Sequence, residues 1–412
     1  MRDAILVLNA GSSSIKFAIF ELPAGAGADT SRMPSRQPLF SGQIDGIGAD
    51  GVSTRLKVRD AAGKTMTDQP LDAAPADGAG QHRHALDCLL GWLDANDEGI
   101  RMRAVGHRVV HGGEKYARPI HLDAAICKEL AELIPLAPLH QPHNLSAIHA
   151  VSALLPKLPQ VACFDTAFHC TQPAIARQFA LPRAITAMGV RRYGFHGISY
   201  EYIAATLPEL LGTEAAEGRI IVAHLGNGAS MCAMRERRSV ATTMGFSSLD
   251  GLVMGTRSGN LDPGVLLYLM DNLSMDSQAL ARLLYRESGL LGVSGISQDM
   301  RTLLASPRPE AQEAIELFCY RVRREIGSLS AALGGLDALV FTGGIGEHAA
   351  PVREKICAEM RWLGVAMDAE ANATASGAGN VRLSRPDAAV QVLVMPTNEE
   401  WMIARHTAGM LG

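Results

Sequence analysis

The first polar residues of the chain are gathered at one turn. In LVLNAGSSSIKF (6–17) an apolar run ends at Asn9, passes through a glycine and three serines, and resumes as Ile15-Lys16-Phe17. Small residues let backbone N–H groups approach an anion, serine hydroxyls add donors and a lysine adds charge, which suits a phosphate-binding hairpin. Ser12, Ser14 and Lys16 are its candidate donors. Asn9, at the strand end, offers a carbonyl oxygen to a cation or to its bound water. A plain polar hairpin is the other reading. A P-loop fails, because Ile15 stands where G-x-x-x-x-G-K-[ST] needs glycine and the continuation alternates like a strand.

Other stretches share the design. Asp165, in FDTAFH (164–169), follows an apolar strand, a usual place for a catalytic or metal-contacting carboxylate in α/β folds. HLGNGAS (224–230) and FTGGIGEH (341–348) are glycine turns after apolar runs; the second lacks the G-x-G-x-x-G spacing of a dinucleotide fingerprint. Arg108 in GHRVVHGGE and Arg257 in MGTRSGN lie near glycines and suit a carboxylate and a phosphoryl group, because a guanidinium pairs bidentately with either. Structural salt bridges are the alternative for each. His196 in YGFHGIS fits a donor to developing phosphoryl charge, or else a core histidine. No H-E-x-x-H motif is present among the 13 histidines, and a zinc site is not expected.

These residues need strands and helices to hold them. Strand-like segments (5–8, 15–20, 56–59, 105–110, 161–164, 220–223, 338–341, 390–394) alternate with helix-like ones, which points to α/β architecture. Asp262-Pro263 reads as a helix start, an N-cap side chain followed by proline in the first turn. LNAGSSSIKFAIF (8–20) has a weaker echo in HLGNGASMCAM (224–234), so two similarly built halves are one reading and coincidence the other.

With 412 residues, two domains are expected. Hydrophobic residues make up 47% and charged ones 19%, which suits a globular enzyme, and a net charge of −4 gives no general attraction to nucleic acid or anionic membrane. The apolar run Ala4–Leu8 is too short for a secretion signal and no run approaches a membrane span. Seven scattered cysteines with no CxxC pair read as reduced thiols, and a cytoplasmic location is expected.

Taken together, LVLNAGSSSIKF, GHRVVHGGE, PLAPLHQPHNL, FDTAFH, RRYGFHGIS, HLGNGAS, TTMGFSSLDGLVMGTRSGNLDPG, GLLGVSGISQDMR, FTGGIGEH and PTNEEWMIA, spread in order from residue 6 to 403, closely resemble the acetokinase family. The resemblance implies the acetate and sugar kinase/Hsp70/actin architecture: two duplicated actin-like, ribonuclease H-like α/β domains around a central cleft. Residues 1–168 plus 400–412 would form the N-terminal domain, with the phosphate hairpin and acyl-site arginine, and 169–399 the nucleotide-binding C-terminal domain. It implies reversible transfer of a phosphoryl group from ATP to acetate, giving acetyl phosphate and ADP by direct in-line transfer, with Mg²⁺ (or Mn²⁺) and a homodimer. By the same resemblance Asn9 and Glu399 belong to the metal site. Asp165, Arg108, His196 and Arg257 are catalytic. Arg108, Val110, Leu139, His140 and Phe195 bind the acyl substrate. ATP would be contacted by Ser12, Ser14 and Lys16; by His224, Leu225, Gly226, Asn227 and Gly228; by Asp299, Met300 and Arg301; and by Gly344, Ile345, Gly346, Glu347 and His348.

Two departures bear on the acyl chain. The family's GFTPLEG is GFSSLDG here, placing Ser248 where a proline is usual, and LHNPANL is LHQPHNL, introducing Gln141 and His143. A propionate or other short-chain acyl kinase is therefore the alternative within the family. A non-catalytic, actin- or Hsp70-like ATP-binding module is the alternative outside it.

Overall fold

Ile15, Phe17 and Ile19 alternate with Lys16 and Ala18 along one strand, and that alternation decides which face of the first sheet is core. The computed structural model describes residues 1–11, 13–23, 33–47, 53–72, 78–96 and 99–411. These divide into two compact units, Met1–Ala167 with Asn398–Gly412, and Phe168–Thr397.

In the first unit, β1 (Arg2–Ala10) and β2 (Ser14–Glu21) form an antiparallel hairpin that sets Asn9 opposite Lys16. Strands β3 (Phe40–Asp45), β4 (Arg55–Asp60) and β5 (Thr65–Pro70) extend it antiparallel. On the other side β6 (Ile100–Val109) runs parallel to β1, and β8 (Gln160–Phe164) runs parallel to β6; the short β7 (Ile120–His121) closes that edge. Leu6, Leu8, Ile15, Phe17, Ile19 and Val105 form the core of one face, beneath helices Gly78–Ala95 and Gln141–Leu154.

The helix Glu399–Gly409 packs on the opposite face, over β1 and β6. Gly106 is what lets it approach. A methyl there would run into the Thr407 hydroxyl and come within 2.7 Å of Ile403.

In the second unit the sheet order is β11-β10-β9-β12-β14-β13. Here β9 (Ile220–Leu225) and β10 (Ala229–Arg235) make a hairpin, and β11 (Arg238–Thr242) adds to it antiparallel. Strands β12 (Ala338–Thr342) and β14 (Gln391–Val394) continue parallel to β9, with β13 (Val381–Arg382) at the edge. The run β3-β2-β1-β6-β8 thus has the same pairing senses as β11-β10-β9-β12-β14. The echo between the two glycine-serine turns reflects this repeated hairpin. Helix Gly197–Leu211 covers one face with Tyr200, Ile203 and Leu207, and the long helix Pro309–Leu333 packs against β9, β10 and β11. Asp262 caps the helix Pro263–Leu273 by accepting from the Gly264 N–H, the start read from the sequence.

Strands β3, β5 and β11 and the two-residue β7 and β13 escaped the sequence reading, and β10 was anticipated only as the apolar run after a glycine-serine turn. β5 is exposed along nearly its whole length, and Phe40-Ser41-Gly42-Gln43 has no apolar alternation to read. FTGGIGEH follows β12 and precedes the helix Ala350–Ala358, and its glycine turn is itself wound into a short helix, Gly343–His348.

Candidate active site

In the first unit, three strand ends and one helix start bring four of the expected residues together. Asn9 is the last residue but one of β1, Arg108 lies near the end of β6 and Asp165 directly follows β8. Glu399 opens the helix Glu399–Gly409. Arg108 grips Asp165 bidentately, Nε to Oδ1 at 3.0 Å and Nη2 to Oδ2 at 2.5 Å. Its Nη1 donates to Asn9 Oδ1 at 3.2 Å, and Glu399 Oε2 lies 3.9 Å from Nε. The Asp165 side chain is 2% exposed and that of Arg108 22%, so this is a screened pair with an accessible edge.

Burial works against the Arg108 charge, but Asp165, Glu399 and Glu400 outweigh it, and its pKa lies above the ordinary value. Burial instead pushes the Glu399 carboxyl up to about 7; Arg108 and Lys16 pull it down, while Asp165 and Glu400 push it further up. A carboxylate crowded by two others is where a hard cation fits. Asn9 and Glu399, with Asp165 beside them, offer only oxygen donors. Among the described residues no group of three or more His, Cys, Asp or Glu could hold a metal by itself. Such a set suits Mg²⁺, which binds through one or two carboxylates and takes substrate phosphates and water for the rest.

Ser14 heads β2, and its carbonyl accepts from the Gly11 N–H at 2.8 Å; Ser12 lies outside the described residues. Val110 is buried, and Leu139 and His140 are half-buried. Two side chains that the sequence reading missed as supports hold these segments. Asn144 accepts from the Val110 N–H at 3.0 Å and donates to the Ala10 carbonyl at 2.8 Å, tying the ends of β1 and β6 together. Gln141, one of the two departures, is fully buried and engages the backbone of His111 and Leu130. His143 stacks on His82 at 5.4 Å.

In the second unit the centre is His196. It sits at φ 57°, just before helix Gly197–Leu211, in the left-handed region, which is uncommon for any residue but glycine though histidine enters it more readily than most. The turn is held from behind by His169. This buried imidazole, its pKa lowered to about 4 by burial, donates from Nε2 to the Phe195 carbonyl and lies 2.9 Å through Nδ1 from Ser239 Oγ. His196 Nδ1 is 2.9 Å from Ser230 Oγ, which in turn contacts Tyr200 Oη at 2.5 Å. The His196 ring stacks on His224 at 4.3 Å. His196 Nε2 faces Gly228. A methyl at Gly228 would lie 3.5 Å from His196 Nε2 and 3.9 Å from Arg257 Nη1. Arg257 is anchored through Nη1 to the Ser248 carbonyl at 3.4 Å. His196 Nε2 and Arg257 Nη1 thus both flank the backbone of Gly228.

The expected nucleotide contacts separate into kinds. Gly226 and Gly228 close the β9–β10 turn, and the Asn227 carbonyl accepts from the Gly255 N–H at 2.9 Å. His224 is joined to Thr397 through Ser199, whose hydroxyl is 2.9 Å from each. Gly344 is exposed and Ile345 half-buried. The Glu347 carboxylate folds back on its own helix, accepting from Gly343 N at 2.8 Å, Thr342 Oγ1 at 3.2 Å and Thr397 N at 3.2 Å. Its Oε1 is a brace. Asp299 caps helix Met300–Leu304 and pairs with Arg301 at 2.6 Å, on a side chain 90% exposed. Leu225 and Met300 bury their side chains, so those positions present backbone. Phe195 is likewise buried.

The acetokinase family model matches residues 4–405. The chain belongs to the acetokinase family. This acetokinase is 55% identical over 406 residues to a protein of Rhodopseudomonas palustris named acetate kinase, with 98% of each chain covered. It is 47% identical over 411 residues to the acetate kinase of Methylocella silvestris, covering 100% of this chain and 98% of that one. Among solved structures, Porphyromonas gingivalis acetate kinase superposes with a TM-score of 0.86 at 37% identity, covering both chains fully. A propionate kinase from Francisella tularensis gives 0.86 at 36% identity, with 98% of each covered. The α/β fold with two duplicated, actin-like domains is the one that the sequence led us to expect.

Proposed function

We propose that this acetokinase is an acetate kinase, transferring the γ-phosphoryl group of ATP to acetate. One carboxylate oxygen of acetate forms the new P–O bond, the bond to ADP breaks, and no proton need move because the acceptor is already ionised near pH 7. The task is to bring two anions together and neutralise them.

The observation that carries this reading is the Arg108 guanidinium, locked by Asp165 and Asn9 yet partly accessible. In our reading it binds the acetate carboxylate or the phosphoryl group, and Asp165 orients it. His196 and Arg257 neutralise charge on the phosphoryl group. Val110, Leu139, His140 and Phe195 contact the acyl substrate. Lys16, the 224–228 turn, Asp299–Arg301 and residues 344–348 of the glycine helix bind the nucleotide. Asn9 and Glu399 hold Mg²⁺, which when bound supplies charge neutralisation at the phosphates.

We further read the protein as a homodimer. The helix Pro263–Leu273 buries none of its residues and exposes Leu267, Tyr268, Met270 and Leu273, an apolar face that a second copy would cover. The seven cysteines are all free thiols, which supports a cytoplasmic setting.

Ser248, and the equal structural likeness to a propionate kinase, favour propionate as a second acyl acceptor. The deciding assay supplies ATP and Mg²⁺ with acetate, propionate or butyrate and traps the acyl phosphate as hydroxamate. The highest kcat/KM should fall on acetate. ADP release that does not depend on any carboxylate would overturn the reading.

A further inference from the structure

Arg353 is a large buried cation for which the proposed chemistry has no use. It lies in helix Ala350–Ala358 and is 0% exposed. Among the described residues no carboxylate pairs with it. All five of its N–H groups instead end on neutral oxygens. Nε donates to Asn372 Oδ1 at 2.8 Å. Nη1 donates to the carbonyls of Gly346 and Glu347, both at 2.9 Å. Nη2 donates to the carbonyls of Asn372 at 3.0 Å and Ala375 at 3.3 Å.

A guanidinium kept from water without a counter-ion is costly, so its ligands must be held well. Here those ligands are the end of the glycine helix Gly343–His348 and the segment 372–375. The two segments meet again just beyond, where His348 Nδ1 donates to the Ser376 carbonyl at 2.8 Å. Gly377, at φ 74°, lies against the His348 ring, and a methyl there would come within 2.6 Å of Nδ1. Gly344, in contrast, faces open space: nothing lies within 4 Å of a methyl built on it. One side of the turn is clamped and the other is free to receive a ligand.

We propose that Arg353 is a positioning residue for the nucleotide, binding the Gly346–Glu347 carbonyls to the 372–377 segment so that both present one preformed wall to ATP or ADP. This rests on the reading of 344–348 as nucleotide contacts. Because Arg353 carries no role toward the acyl acceptor, its loss should act on nucleotide and acetate unequally. Lysine keeps the charge but cannot reach carbonyls on both segments from one planar fork.

The test compares wild type, Arg353→Lys and Gly377→Ala by calorimetric titration with ADP in the absence of acetate, by steady-state KM for each substrate, and by Tm. Both variants should raise the ADP Kd and the KM for ATP about tenfold while KM for acetate stays within about twofold. An unchanged ADP Kd in the folded variants overturns the proposal, as does a KM for acetate that rises in step. Should Arg353→Lys not fold, Gly377→Ala, on a surface turn, decides by the same two measures. A wild type that makes no acyl phosphate, while the variants still lose ADP, would overturn the functional reading alone.

Discussion

At the scale of single residues, the unit-one cluster makes the form of the charge as important as its sign. Arg108→Ala would leave the Asp165 carboxylate buried without its partner, at a cost of roughly 3–5 kcal/mol, confounding activity with folding. Arg108→Lys is the cleaner probe: a point charge keeps the cluster neutralised but cannot form the bidentate fork. Its kcat/KM for acetate should fall about a hundredfold or more with Tm little changed; near wild-type turnover would remove the clamp role. At Ser248 the structure adds what sequence lacked. The group that anchors Arg257 there is the backbone carbonyl, which proline also has. Ser248→Pro should therefore keep Arg257 placed while stiffening the loop. Discrimination by one methylene is limited to about 1–3 kcal/mol, and we expect the acetate-to-propionate ratio of kcat/KM to rise within that range. A ratio that stays level or falls would mean that serine does not loosen the acyl site.

At the scale of elements, glycine at Gly106 governs how closely a helix approaches a sheet. Gly106→Ala would force helix Glu399–Gly409 off β6 at Thr407 and Ile403, the kind of overpacking that costs about 1–3 kcal/mol. Because Glu399 begins that helix, the change should lower Tm and also weaken Mg²⁺ binding in a direct titration. A Tm loss with unaltered Mg²⁺ affinity would show that Glu399 is positioned independently. The same helix illustrates what was legible locally. Asn398 caps it, accepting from the Trp401 N–H at 2.9 Å, and PTNEEWMIA reads as a helix start. That its far end would rest on a bare glycine three hundred residues earlier does not show in either segment.

At the scale of the whole molecule, each unit carries buried imidazoles. Burial lowers the pKa of His107 and His111 in the first unit, and of His169 in the second, to about 4. A folded value below the unfolded one, near 6.5, gives stability that is complete above pH 6.5 and lost as pH falls towards 4. Each contributes a slope of about 1.4 kcal/mol per pH unit within that window. Tm should therefore drop between pH 7 and pH 5, before most carboxylates titrate, and His169→Gln should reduce the drop. A flat Tm over that range would contradict the burial argument. The proposed dimer is tested at the exposed helix Pro263–Leu273. Leu267→Glu with Tyr268→Glu should give monomers by light scattering while each chain remains folded; an unchanged mass would put the contact elsewhere.

The sequence by itself determined the family, the alternation of strands and helices, and the residue types at strand ends, helix starts and glycine loops: Asn9, Arg108, Asp165, His196, Arg257 and Glu399. Those are short-range signals, carried by apolar runs, glycine turns and caps. Only the tertiary structure decided which groups act on one another. It turned the Glu347 carboxylate inward onto Gly343 and Thr397, joined Arg108 to Asp165 across fifty-seven positions, and set Gln141 beneath His111 as a support. It also disclosed what His169, the last residue of FDTAFH, and Arg353, outside every motif, hold in place, because a side chain's partners are fixed by how sheets and helices pack and not by its neighbours in the chain.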